Sequence, residues 1–117
     1  IVAHLRFGDA PNLSKNMRYY IKALSELGQS RICICTDDKV FAKKFLEDND
    51  FNNYFFSNGS LIDDFRILAN AAVVIAAPST FSFWAIKLSK TISKVYLPKE
   101  IYTALGSPSD FAQIRII

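Results

Sequence analysis

Short apolar segments alternate with amphipathic segments along this chain of 117 residues. The apolar segments predict five strands, at residues 1–6, 31–36, 54–57, 73–77 and 95–97. The segments between them carry apolar residues at helical spacing. Strict alternation of short strands with helices of this kind predicts an α/β fold, a parallel sheet with helices on both faces.

Local signals mark the ends of the predicted helices. The first helix begins near Leu13 and stops at Gly28. Either Asp37 or Asp38 caps the second helix. The apolar face predicted for that helix consists of Val40, Phe41, Phe45 and Leu46. The third and fourth helices are predicted at residues 61–70 and 79–89.

The composition fits one compact domain over residues 1–117, half of it hydrophobic. The formal charge of +3 helps to attract an anion but falls short of the dense basic patch that nucleic-acid binding needs. The longest apolar run, residues 71–78, is too short to cross a bilayer. Because a strand already occupies the first residues, we expect a segment before them. The apolar tail at residues 111–117 is either a last strand or a segment packed on the core.

The chain has two cysteines, Cys33 and Cys35, which lie two residues apart in a predicted strand. Their side chains share one face of that strand, which is a poor geometry for a disulfide between them. With a single histidine in the chain, we expect no zinc site. Two free, buried thiols predict a reducing compartment such as the cytoplasm.

With the common strand order 3-2-1-4-5, strands one and four are neighbours where the order of the sheet reverses. Ligands of such sheets bind there, at the carboxyl ends of the strands. The candidate site therefore consists of Arg6, Gly8 and Asp9 after strand one and of Ser79, Thr80 and Ser82 after strand four.

Arg6 and the segment at residues 79–82 together favour a bound phosphate. A guanidinium can hold phosphate in a bidentate fork, and Gly8 lets the backbone approach a ligand. A helix start offers unpaired N–H groups and a positive dipole end. Each signal has an ordinary alternative, because Arg6 could pair with Asp9 and Ser79 could be only an N-cap. Phosphate-loop and dinucleotide fingerprints are absent from the sequence.

His4 and Asp64 are weaker candidates. His4 lies on the same side of its strand as Arg6, but a lone strand histidine is more often a core residue than a ligand or base. Asp64 could pair with guanine, whose N1–H and exocyclic amine present two donors to one carboxylate, or it is a solvated helical charge. The adjacent acids at residues 37–38 are assigned to capping and strand-end structure, and no metal is predicted.

Three segments occur in a familiar order: H-L-R-F-G-D at residues 4–9, C-T-D-D at 35–38 and S-T-F-S-F-W at 79–84. Together they resemble the inverting α-1,2-fucosyltransferases of glycosyltransferase family 11, and more distantly the α-1,6- and protein O-fucosyltransferases. That family typically reads H-x-R-R-G-D, S/T-D-D and S-T-F-S-W-W. The similarity runs from residue 1 to about residue 102.

The resemblance implies a Rossmann-like, three-layer domain that forms the carboxyl-terminal, donor-binding half of a GT-B type enzyme, whose amino-terminal half lies outside this chain. It implies GDP-fucose as donor, a glycan acceptor, inversion and no metal. Arg6 would bind the β-phosphate, with Ser79, Thr80 and Ser82 at the phosphates. His4 would lie near guanine and ribose, and Asp64 would read guanine. His4 and Asp9 are weak candidates for a general base.

Phe7 departs from the motif, because the family usually has a second arginine there. The missing arginine would cost roughly 1.5–3 kcal/mol of charged hydrogen bonding. Phe7 is otherwise expected to pack against the other half of the enzyme. It also favours a second interpretation, a non-catalytic nucleotide-sugar or phosphate-binding module. A response-regulator-like signalling domain ranks low. Such a domain needs an acidic pair after strand one and a phosphate-accepting aspartate after strand three, whereas here the acidic pair follows strand two and Ser57 follows strand three. The enzyme is expected in the cytoplasm, and binding of a membrane-borne acceptor would associate it peripherally with the membrane.

Overall fold

The computed structural model describes residues 1–8, 13–99, 102, 106 and 112–117, with Leu13 described for its backbone only. Its strands are β1 Val2–Leu5, β2 Ile32–Thr36, β3 Tyr54–Phe56, β4 Val73–Ile75, β5 Lys94–Leu97 and β6 Gln113–Ile116. Its helices are α1 Leu13–Leu27, α2 Lys39–Asp48, α3 Leu61–Ala69 and α4 Thr80–Leu88. The predicted elements are all present, and their ends shift by one or two residues.

The strands form one sheet in the order β3-β2-β1-β4-β5-β6, and every neighbouring pair is parallel. The predicted order 3-2-1-4-5 is confirmed. The tail, for which two structures were open, supplies the sixth strand, because Gln113–Ile116 pairs with Lys94–Leu97 along its whole length.

The core is divided between the two faces of the sheet. On one face Leu5, Ile34 and Tyr96 pack against α1 and α2. On the other face Cys35, Val74 and Val95 pack against α3 and α4. Since alternate residues of each strand point to opposite faces and both faces are covered, the central strands are mostly apolar, with His4 in β1 and Thr36 at the end of β2 as the polar residues. This is the predicted α/β three-layer, Rossmann-like architecture.

The helices begin and end where the local sequence predicts. Gly28 has a φ of 62°, the left-handed conformation that terminates α1. Asp38 caps α2 by accepting from the backbone N–H of Phe41. Ser60 and Asp63 form a reciprocal capping box at the start of α3.

The face predicted for α2 is partly wrong. Its buried side chains are Ala42, Phe45 and Leu46, whereas the side chain of Val40 is 84% exposed. At 100° per residue, Val40 lies about 140° from Phe45 around the helix axis, so the two cannot share a narrow buried stripe.

Cys33 and Cys35 are free and buried, so the prediction of core cysteines without a disulfide between them is confirmed. The pKa of the Cys35 thiol is raised, first by burial and then by the charge of Asp64. None of the helices in the described ranges is long and apolar enough to cross a membrane.

Phe7 belongs to the core of this domain, which corrects the expectation that it packs against another half. Its side chain is only 4% exposed. Its ring lies 4.7 Å from that of Phe41, 5.5 Å from that of Phe45 and 5.8 Å from that of Tyr20, measured between centroids. The motif position usually held by arginine is therefore turned inward here, under α1 and α2.

We predict that Phe7→Arg destabilises the domain instead of restoring a phosphate ligand. The substitution places a cation in an apolar cluster, and we expect the free energy of unfolding to fall by roughly 3 kcal/mol or more. Phe7→Leu, which keeps the site apolar, should cost about 1 kcal/mol. Urea denaturation of both variants measures the difference, and equal stability of Phe7→Arg and the wild type would contradict the buried placement.

Candidate functional site

The ends of β1 and β4 are direct neighbours in the sheet. Val2 pairs with Val74 and Ala3 pairs with Ile75, in parallel register. Arg6 follows the last residue of β1, and Ser79 caps the helix that follows β4. The two segments predicted to bind a phosphate therefore leave the same edge of the sheet side by side.

A hydrogen bond between side chains connects these two ends. His4 Nδ1 is hydrogen-bonded to Ser82 Oγ, and both residues are buried. Ser82 Oγ also accepts from the backbone N–H of Ala77 at 3.1 Å. Since Ser82 is 0% exposed, its hydroxyl faces the interior rather than an open cleft. The bond fixes the first turn of α4 against β1, so Ser82 positions the predicted phosphate site from within.

His4 is neutral at physiological pH because of its surroundings. Burial is the largest cause and lowers its pKa from 6.5 to about 4, with the charge of Asp37 opposing the shift and that of Arg6 adding to it. The ring also packs against Phe81, with centroids 5.2 Å apart. A buried imidazole with so low a pKa is a structural hydrogen-bonding group and a poor general base.

Ser79 and Thr80 form the open start of α4. Ser79 Oγ accepts from the backbone N–H of Ser82 at 3.2 Å, and the Ser79 carbonyl accepts from Phe83 N–H. Thr80 is exposed. The amides of the first turn precede the helix's own hydrogen bonds and point toward its N-terminus, which is the arrangement that attracts an anion.

Arg6 is half-buried at the tip of β1. Its backbone N–H donates to the Tyr20 hydroxyl at 3.1 Å, which fixes the main chain of the tip against α1. The guanidinium is close enough to His4 for its charge to contribute to lowering the imidazole pKa. The charge of Arg6 thus lies at this edge of the sheet, close enough to act on both His4 and the Tyr20 hydroxyl of α1.

Asp37 has the strand-end structural role that the sequence predicted for the acidic pair, but its partners were not predicted. Its two carboxylate oxygens accept from the backbone N–H groups of Phe7 and Gly8, each at 2.9 Å. A Cβ at position 8 would lie 2.8 Å from Asp37 Oδ2, so glycine is needed for this contact, and the Gly8 amide is already occupied. The signal was available, since only one of two adjacent acids can cap α2 and Asp38 does so.

Asp64 lies at the same edge, in the first turn of α3. Its Oδ1 accepts from the Ser57 hydroxyl at 2.6 Å. Its negative charge partly opposes the lowering of the His4 pKa and adds to the raised pKa of Cys35. The carboxylate is therefore held near the β1 tip by Ser57, a residue that sequence reasoning did not connect with it. Asp9, the remaining predicted residue, lies outside the described residues.

Phe65 and Phe81 join α3 to α4 beside His4, with ring centroids 5.5 Å apart. Across the described part of the chain, no group of three or more histidine, cysteine or acidic side chains could hold a metal ion. The expectation that no metal takes part in the reaction stays a prediction.

The family model of glycosyl transferase family 11 matches residues 9–104. The chain belongs to glycosyltransferase family 11. This assignment implies a fucosyltransferase, and it confirms the resemblance drawn from the sequence. Comparison with curated proteins and with solved structures gives no match.

The match to family 11 includes the acidic pair at residues 37–38 and the helix start at residues 79–84. It begins after β1, so the roles of His4 and Arg6 depend on the motif at residues 4–9 and on the geometry of the sheet edge. The structure brings His4, Arg6, Asp64 and the start of α4 to one edge of the sheet.

The low pKa of His4 predicts a specific loss of stability in mild acid. The unfolded chain binds a proton near pH 6.5 and the folded chain only near pH 4, so this contribution is complete above pH 6.5 and is lost as the pH falls toward 4. We expect a loss on the order of 3 kcal/mol across this window.

Urea denaturation between pH 7 and pH 5 measures this effect before most carboxylates titrate. His4→Gln removes the only histidine, so its stability should change much less over the same interval. Parallel pH profiles of the wild type and the variant would contradict the assignment.

Proposed function

We propose that this chain is the carboxyl-terminal, donor-binding half of an inverting, metal-independent fucosyltransferase that uses GDP-fucose. Membership of family 11 supports fucosyl transfer. The observation that carries the donor assignment is the adjacency of the β1 and β4 ends, which brings a guanidinium and a helix N-terminus to one edge.

In the proposed reaction, the bond between fucose and the β-phosphate breaks through an oxocarbenium-like transition state. Negative charge grows on the departing phosphate oxygen. Arg6 and the first-turn amides of α4 are preorganised donors for that charge, and such groups stabilise a transition state more than a ground state. Ser79 and Thr80 would add hydroxyl contacts to the diphosphate.

Asp64 is the proposed guanine reader. Its carboxylate is fixed by Ser57 at 2.6 Å, and a fixed acceptor discriminates better between bases than a mobile one. His4 serves this site by holding α4 through Ser82, with guanine and ribose proposed on its outer side. Gly8 keeps the loop compact against Asp37.

The acceptor hydroxyl, proposed to belong to a galactoside in an α-1,2 linkage, would attack from the face opposite the phosphate. His4 is a poor proton acceptor, given its pKa of about 4. The base, if one is needed, would come from Asp9 or from the amino-terminal half that we propose faces this edge. We place the enzyme in the cytoplasm.

A non-catalytic nucleotide-sugar or phosphate-binding module is the second candidate. The specific observation in its favour is that Asp37 already occupies the Phe7 and Gly8 amides, and that Phe7 is buried where the motif usually has an arginine. Such a module would bind GDP-fucose without releasing GDP when galactosides are added.

Arg6→Ala should weaken the binding of GDP by roughly 10- to 100-fold in the full-length protein, because one charge-assisted contact to phosphate is lost. Calorimetric titration measures the affinity, and released GDP measures the transfer. Arg66→Ala is the matched control, since Arg66 is an exposed arginine on α3 and its removal should leave both quantities unchanged. Unchanged GDP affinity in Arg6→Ala would overturn the phosphate assignment.

A further inference from the structure

A groove lies between the outer side of α1 and the ends of β5 and β6. It encloses about 600 Å³, a volume typical of small-molecule sites. Tyr19, Pro98 and Ile117 line its inner part. None of these groove residues belongs to the candidate donor site at the ends of β1 and β4.

Four cationic residues line this groove: Lys15, Arg18, Lys22 and Lys99. The three on α1 repeat at intervals of three and four residues, so they lie along one face of the helix. The lining residues within the described part of the chain include no aspartate or glutamate. Arg18 and Lys22 lie one helical turn apart on this surface, and an anionic ligand would relieve the repulsion between their charges.

The acidic residue nearest in sequence on this helix face is already paired. Glu26 accepts two hydrogen bonds from Arg115, one from Nε at 3.1 Å and one from Nη2 at 2.8 Å. That contact is the first cause of the lowered pKa of Glu26, with smaller contributions from Lys94 and Lys22. Arg115 is therefore the main partner of Glu26, and Lys22, which lines the groove, acts on Glu26 more weakly.

The basic residues of the chain are unevenly distributed. The groove and the adjoining strands β5 and β6 carry six of the fourteen Lys and Arg residues of the chain. Among the described residues they carry one acidic residue, Glu26. The six basic residues are Lys15, Arg18, Lys22, Lys94, Lys99 and Arg115. Elsewhere among the residues that the structure describes, seven acidic residues stand against eight basic ones. Among the described residues, the positive net charge is therefore concentrated on this face.

We propose that this groove is a second anion site, which binds a phosphate-bearing ligand apart from the donor site. Arg18 offers a planar fork for phosphate oxygens, and Lys22 adds a second cation one helical turn away. The apolar inner surface would accommodate the sugar or alkyl part of the ligand. A groove of this size takes a small ligand or one headgroup, so its chemistry is that of a phosphate ester or diphosphate.

Tyr19 separates the two sites. Its hydroxyl is shared between the carbonyl oxygens of Ala76, at 2.7 Å, and Tyr96, at 2.8 Å. This buried side chain forms part of the groove wall and closes the sheet ends between β4 and β5. A ligand in the groove therefore contacts α1 and β5, whereas the donor site lies between β1 and α4.

Titration of the full-length protein with inorganic pyrophosphate tests the proposal. With the donor site saturated by GDP, the double variant Arg18→Gln/Lys22→Gln should bind pyrophosphate at least about tenfold more weakly than the wild type. Lys87→Gln/Lys90→Gln removes the same charge from exposed positions near the end of α4, and its affinity should stay within about twofold of the wild type. Equal losses in the two double variants, or no binding to the wild type, would overturn the groove.

Two further measurements separate this site from the donor site. Pyrophosphate should still bind the groove in Arg6→Ala, and the groove double variant should keep the GDP affinity of the wild type. Loss of GDP binding in the groove variant together with normal GDP binding in Arg6→Ala would overturn a separate site.

The phosphate ester could belong to a lipid headgroup or to a soluble molecule, and vesicles that contain phosphatidylglycerol distinguish these two sources. Sedimentation of the wild type with them, lost in the groove variant but kept in the control variant, would support a lipid headgroup as the ligand. Pyrophosphate binding without sedimentation would support a soluble phosphate ester in the same groove.

Discussion

The pairing of β1 with β4, and the hydrogen bond between His4 and Ser82 across it, are the contacts on which the candidate site depends. Parallel pairing brings the two strand ends to one edge, and the buried bond fixes the first turn of α4 against β1. Without that bond, the helix N-terminus and Arg6 would be adjacent in topology but free to shift relative to each other. Preorganisation of this kind is what electrostatic stabilisation of a leaving phosphate requires.

Arg6 is followed by a loop that Asp37 and the buried Phe7 hold in place. Asp37 occupies the amides of Phe7 and Gly8 and fixes the loop after β1, while Phe7 turns into the aromatic cluster under α1 and α2. For the diphosphate that we propose binds here, the described residues of this edge supply one arginine and the α4 N-terminus. Phe7 shows that a motif position can change from a charged to an apolar residue when its side chain points into the core.

The helix ends could be predicted because they follow from local patterns, whereas the sheet order was predicted as the common one for a fold that alternates strands and helices. Alternating strands and helices, Gly28 and the caps at Asp38 and Ser79 are each encoded within a few residues. The hydrogen-bond partners of individual side chains could not be predicted, because they depend on contacts between segments that are distant in the chain. Ser82, which we predicted to lie at the phosphates, is hydrogen-bonded to His4, 78 positions away in the chain. The prediction that Val40 is buried was wrong because helical periodicity alone does not fix how wide the buried stripe of a helix is.

The most direct test of the central claim is to locate GDP on the protein by amide chemical-shift mapping. Our account predicts that saturating GDP shifts the amides of Arg6, Thr80 and Phe81 most strongly, with smaller changes around Asp64. Shifts that cluster instead along α1 and β5, with the ends of β1 and β4 unaffected, would contradict it.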